Sequence, residues 1–201
     1  MTKQGAVPVK LAGPGRPRSE EAERVILDTT MQLLVSEGYA GFTLDKVAAQ
    51  ARVSKSTIYR RWPSKEHLVI AAFDRAPFLT PADKGSVVED LVSVVLEFIN
   101  IVRTTALAAA LPVLVGERSK NPALAEAYDP WLERRRAAVK QIVERAIARG
   151  ELPEGLDLNT AVDMVMGPVI LRLFFYDKGD LSRISVRDLV SRAVRGMGGS
   201  I

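Results

Sequence analysis

Between residues 43 and 65, in TLDKVAAQARVSKSTIYRRWPSK, two short helical patterns stand only two residues apart. Leu44, Val47, Ala48 and Ala51 fall at i, i+3, i+4 and i+7 and give the first an apolar face. Ile58 and Trp62, four apart, do the same for the second. Thr43 and Ser54 precede the two patterns, where a hydroxyl accepts from a free amide of the first turn. Only Arg52 and Val53 separate Ala51 from the Ser54 cap, so the helices must cross steeply, as in a helix-turn-helix. From Lys46 to Lys65 the segment carries six basic side chains, Lys46, Arg52, Lys55, Arg60, Arg61 and Lys65, and no acid. That density beside Ser and Thr hydroxyls suits a phosphate backbone.

The segment GYAGFTLDKVAAQARVSKSTIYRRWPSKEHL, residues 38 to 68, resembles the DNA-binding signature of the tetracycline-repressor (TetR) family of bacterial transcription regulators. The parts that carry the resemblance are Gly38-Tyr39, Phe42-Thr43, Val47-Ala48, Val53-Ser54-Lys55, Thr57-Ile58-Tyr59 and Pro63-Ser64-Lys65. It covers about a quarter of the chain, roughly residues 19 to 70. Residues 121 to 152, NPALAEAYDPWLERRRAAVKQIVERAIARGEL, are similar to the helical body of one actinobacterial-type subgroup. One departure stands out: the residue before Val53 is usually Gly in that family and is Arg52 here. A non-Gly residue at positive φ costs roughly 1 kcal/mol. We expect the turn to tolerate it, with the guanidinium facing a phosphate.

Helical periodicity without strand alternation predicts an all-α protein of nine or ten helices, and the Gly and Pro residues of 1–18 a flexible basic arm; the resemblance implies a helix-turn-helix domain with its linking helix over 19–75 and a ligand-sensing and dimerisation domain over 76–201. Charge follows this division. Residues 1–75 hold 12 basic and 8 acidic side chains, while the remainder is balanced, so the whole surplus of +4 lies where a polyanion is expected to bind. The absence of cysteine removes disulfides and thiol catalysis and points to the cytoplasm. Residues 1–18 lack the apolar run of a signal peptide. The most apolar stretches, 104–116 and 161–176, fall short of the about 20 residues that span a bilayer.

The arm ends in Gly15-Arg16-Pro17-Arg18, and Gly-Arg-Pro resembles the centre of minor-groove segments, with Arg16 and Arg18 as candidate contacts; a basic tail without a specific role is the alternative. Ser19 before Glu20, Glu21 and Glu23 predicts a helix to about Glu37 that stops at Gly38. A linking helix follows Ser64, and an amphipathic helix is expected from Val87 to Thr104. Next come an Ala-rich helix with Pro112 near its end, a short helix from Pro122 to Tyr128, and a long one from Pro130 to Arg149. The helix expected over Asn159–Asp177 is apolar almost all round, and the last is capped by Ser185.

On the helix entering the major groove, Lys55, Ser56, Tyr59, Arg60 and Arg61 are the candidate base readers. The resemblance assigns phosphate grips to Thr43, Thr57, Tyr59 and Lys65, and Arg52 is added by its position in the turn. Trp62 reads as core, and His67, the sole histidine, as a surface or packing residue of the link. In the body the resemblance implies a homodimer through the last two helices, with Val162, Val165, Val169, Leu173, Phe174, Leu189, Val190 and Val194 as interface candidates; the other reading makes these residues the core of one subunit. It also implies a small hydrophobic or amphipathic effector that releases the protein from a palindromic operator. Arg103, Tyr128, Trp131, Asp163 and Arg172 are the polar or aromatic candidates to line its site. No metal or cofactor motif is present, and no constellation of a catalytic centre, so an enzyme is disfavoured. The remaining alternative is a helical module that binds protein or nucleic acid without operator specificity.

Overall fold

The structure, a computed structural model, describes residues 16–176 and 181–199, with side chains from residue 20 onward. Among the described residues there are nine helices and no strand: α1 (Arg16–Gly41), α2 (Leu44–Gln50), α3 (Lys55–Tyr59), α4 (Lys65–Asp74), α5 (Val87–Thr104), α6 (Leu107–Arg118), α7 (Pro122–Ala148), α8 (Leu158–Phe174) and α9 (Arg183–Gly196). The first four form the head, where α1 packs on α2 and α4, and α2 on α3. The remaining five form the body.

The ends of these helices follow local chemistry. Thr43, Ser54 and Ser64 are N-caps whose side chains accept from Lys46, Thr57 and His67 N–H groups respectively. At Gly38 the chain leaves helical geometry with φ 69°, so the expected stop is a kink followed by a last turn to Gly41. α1 begins at Arg16, three residues ahead of the expected Ser19 cap, with Pro17 in a first turn where its missing N–H has no helical partner to lose.

Three further boundaries differ from the sequence expectation. The two helices expected on either side of Asp129 are one continuous α7 with Pro130 inside it, and Tyr128 and Trp131, on either side of the proline, bury on the same core. α8 starts at Leu158 because Asp157, not anticipated as a cap, accepts from Thr160 N–H at 2.7 Å. α9 is capped by Ser182, with Ser185 inside the first turn donating its amide to Ser182 Oγ at 3.3 Å.

Two apolar cores result, and they do not part at the head. One joins α5, the second half of α7, α8 and α9. The other runs from Ile26, Phe42, Val47, Ile58 and Phe73 in the head into Leu107, Leu114, Leu124, Tyr128 and Trp131 of α6 and α7. Phe73 is fully buried and meets Trp131 edge to face, with ring centroids 5.8 Å apart and an interplanar angle of 84°.

The first core corrects five interface expectations. Val162, Val165, Val169, Val190 and Val194 are at most 2% exposed inside a single subunit, because α8 and α9 turn these faces toward α5 and α7. Leu173, Phe174 and Leu189 are half-buried. The apolar side chains left outside are others: Ile170, Leu171, Phe175 and Tyr176 at the end of α8, and Ile184 at the start of α9. No single described helix is long and apolar enough to cross a membrane; α5 and α6 would need joining across a 95° bend.

A buried carboxylate ties the body together. Asp90 is fully buried in α5, accepts from Lys84 N–H at 2.5 Å, and pairs with Arg149 at 3.3 Å near the end of α7. Nearby, Glu151 accepts from Val87 N–H at 2.6 Å at the start of α5. Replacing Asp90 by Ala removes the acceptor of the Lys84 amide and one carboxylate partner of Arg149. We predict a loss of about 1–3 kcal/mol in denaturant unfolding, whereas Asp188→Ala, on an exposed pair, should cost less than about 1 kcal/mol.

Candidate nucleic-acid interface

The turn between α2 and α3 is set by backbone hydrogen bonds. Val53 N–H reaches Ala48 O at 3.0 Å and Arg52 N–H reaches Ala49 O at 3.3 Å, the paired bonds of a Schellman ending. The same pattern closes α7, where Glu151 N–H bonds Ala146 O and Gly150 N–H bonds Ile147 O, both at 2.9 Å. The residue that must take positive φ is Gly150 at 74° in that case and Arg52 at 56° here. Arg52 is the only non-Gly residue at positive φ among the described residues. The expected tolerance is therefore a strained turn held by two backbone bonds and the Ser54 cap, with the Arg52 side chain exposed.

From this turn α3 projects as a short rod with one face inward. Ile58 is fully buried and Trp62, just beyond the helix, is 9% exposed, so the tryptophan is core, as the pattern implied. Lys55, Ser56, Tyr59 and Arg60 all face solvent, and Tyr59 is 51% exposed. Ser54 Oγ lies 2.8 Å from both Ser56 Oγ and Thr57 Oγ1, a hydroxyl cluster at the amino end of the rod. Thr43, the N-cap of α2, is exposed.

Several cations expected to face DNA have partners within the head. Lys55 pairs with Asp45 of α2, and Lys46 pairs with Glu37 while donating to Gly41 O at 3.0 Å. Arg61 is half-buried and donates to Glu23 at 2.7 Å, which anchors the end of α3 to α1.

Lys65 is turned inward, away from the exposed face that its resemblance-based role required. Its ammonium donates to Tyr39 O at 2.7 Å and lies 4.1 Å from the Tyr39 ring centroid and 5.2 Å from that of Phe42. Burial lowers its pKa, against the opposing pull of Glu66 and Glu117. Beneath it, Tyr39 donates its hydroxyl to Glu66 at 2.8 Å and accepts from Asn121 Nδ2 at 3.4 Å. Burial, then the Glu66 carboxylate, pushes the Tyr39 hydroxyl far above its ordinary pKa, so it acts as a neutral donor. Asn121 is itself the N-cap of α7, and composition gave no sign of this link between head and body.

A second link lies on α7. Arg134 donates to Asp74 at 2.8 Å, and Arg135 donates to Phe73 O at 3.0 Å and Pro77 O at 2.6 Å while its guanidinium covers the Phe78 ring at 4.1 Å. Arg136 donates to Asn159 O at 3.0 Å, so the run Arg134 to Arg136 is a set of ties. Between α4 and α7 lies a shallow groove of about 360 Å³ lined in part by Trp62, Pro63, Ile70, Ala127 and Pro130.

The five expected effector contacts are not gathered in one place. Tyr128 and Trp131 are together, ring centroids 5.3 Å apart, in the core shared with the head. Asp163 is a surface partner of Arg136 at 2.8 Å, Arg172 donates to Ser185 at 2.7 Å, and Arg103 is exposed at the end of α5. Arg16 and Arg18 belong to the first turn of α1 by backbone, and their side chains lie outside the described residues.

This arrangement of a capped α2–turn–α3 unit on a helical body has counterparts. The family described as "Bacterial regulatory proteins, tetR family" matches residues 26–72, and that described as "Tetracyclin repressor-like, C-terminal domain" matches residues 81–193. The HTH-type transcriptional regulator YdeS of Bacillus subtilis is 35% identical over 192 residues, covering 91% of this chain and 93% of its own. The DNA-binding transcriptional repressor TetR of Mycobacteroides abscessus is 31% identical over 167 residues, 78% of this chain and 84% of its own. The crystal structure of the TetR family transcription regulator SCO0332 superposes with a TM-score of 0.65 at 29% identity, covering 88% of this chain and 98% of that one. FadR of Bacillus subtilis, solved in complex with stearoyl-CoA, shares the fold with a TM-score of 0.65 at 20% identity, covering 87% and 96%. The chain belongs to the TetR family of helix-turn-helix transcriptional regulators.

Arg52→Gly separates the two roles of the turn. We predict that removing the strained side chain raises stability by about 1 kcal/mol, read by denaturant unfolding, while weakening duplex binding in a salt titration by loss of one exposed cation. Unchanged stability would mean that the turn carries no strain.

Proposed function

We propose that the protein is a homodimeric repressor that binds a palindromic operator in the cytoplasm and is released by a small amphipathic effector. The observation that carries the reading is the outward row Lys55, Ser56, Tyr59 and Arg60 on α3, in a chain whose family consists of DNA-binding regulators. Lys55 and Arg60 are the candidates to donate to guanine O6 and N7, while Thr43, Thr57, Tyr59 and Arg52 hold phosphates. Arg61 and Lys65 support the rod from within the head.

The dimer reading is supported by what α8 and α9 leave uncovered. Leu171, Phe175 and Ile184 are 43%, 75% and 84% exposed, and the Arg172–Ser185 hydrogen bond holds the end of α8 beside the start of α9. Such a concentration of large apolar side chains suits an isologous interface, with the half-buried Leu173, Phe174 and Leu189 at its margin. Two heads on a two-fold axis then require an inverted repeat.

For the effector we retain Tyr128 and Trp131. Trp131 is 5% exposed, and its indole N–H has no acceptor among the described residues, so a ligand oxygen there gains a hydrogen bond that the protein leaves unmade. Because Trp131 packs on Phe73 of α4, a molecule entering there separates the link helix from α7. Preferential binding to that parted state lowers DNA affinity by the same preference ratio.

Leu171→Glu tests the assembly. We predict a dimer for the parent and a folded monomer for the variant in sedimentation, with operator affinity lower by at least about 100-fold because the two heads no longer bind as one unit. A variant that remains dimeric with parental affinity would overturn the interface.

A further inference from the structure

Lys55 stands first in α3, in the outward row, and its one ion pair among the described residues is with Asp45. Asp45 lies in the first turn of α2 and is 63% exposed, against 57% for Lys55. The other two paired cations differ. Lys46 has a second hold on Gly41 O, and Arg61 is half-buried. Lys55 alone can leave its acid by rotating one side chain.

We propose that Asp45 is an intramolecular competitor of DNA for Lys55, and so sets how tightly the head holds any duplex. This rests on the reading of α3 as the DNA-facing helix. The carboxylate holds the ammonium beside α2 in the free protein, and DNA binding exchanges it for a phosphate or a base edge. Magnitudes favour the exchange. An exposed pair of this kind changes an equilibrium by about fivefold at most, a small part of the affinity that a set of cation–phosphate contacts supplies. Asp45 therefore does not prevent binding; it subtracts from it. The subtraction is made in the free protein, so it applies alike to operator and to unrelated duplex.

The test is a double-mutant cycle on the full chain with a random-sequence duplex at fixed salt. Asp45→Asn keeps the shape and leaves the Thr43 cap of α2 in place, and circular dichroism should match the parent. We expect Asp45→Asn to tighten binding about two- to fivefold, Lys55→Ala to weaken it, and Asp45→Asn to give no gain in the Lys55→Ala background. An equal gain in both backgrounds would assign the effect to the field of one acid near DNA and overturn the competition. No gain in either would overturn it as well. If Lys55→Ala and Arg60→Ala both leave duplex affinity at the parental value, the reading of α3 itself fails, and the proposal with it.

Discussion

Phe73 against Trp131 is the contact on which the arrangement of head and body depends. Both side chains are almost completely removed from water, and each is worth roughly 1.5–3 kcal/mol as buried apolar surface. The contact makes the last turn of α4 part of the same core as α6 and the first half of α7. Around it the polar ties are arranged so that none stands alone. Arg134 holds Asp74, Arg135 holds two carbonyls at the end of α4, and Asn121 reaches Tyr39 from the start of α7. The head is thus oriented by α7 at both ends of α4.

The short rod of α3 is held by equally local means. A Schellman ending with an arginine in the glycine position stops α2, a serine cap starts α3, and Ile58 and Trp62 anchor the rod inward. Those constraints leave the outward row no choice of direction. They also place acids close to the cations: Glu23, Glu37 and Asp45 each engage one basic group of the head. The formal surplus of positive charge is therefore larger than the charge free to meet a polyanion.

Much of this was legible in the residues. Short-range signals read well: Thr43, Ser54 and Ser64 as caps, Gly38 as a stop, α5 at its observed limits, and the outward face of α3, because each depends on neighbours within one turn. Prolines misled, since Pro130 reads as a helix start until tertiary packing on both sides of it is known. Asp157 and Ser182 were passed over as caps because more than one hydroxyl or carboxylate stood near each helix start. The body was the least legible. Val162, Val165 and Val169 could not be assigned to core or interface from an all-apolar helix, and only the packing of α5 and α7 against it decides. Lys65 followed a family position, yet its own surroundings, two aromatic rings and a carbonyl, turn it inward.

The central claim is that α3 of two symmetry-related heads lies in successive major grooves of one operator. Selection of genomic fragments by the full chain, followed by footprinting of the enriched sequences, measures this most directly. The account requires an inverted repeat whose two protected half-sites are related by a two-fold axis, with protection lost on Arg60→Ala. Enrichment of fragments with no shared repeat, or a single protected patch that survives Arg60→Ala, would contradict it.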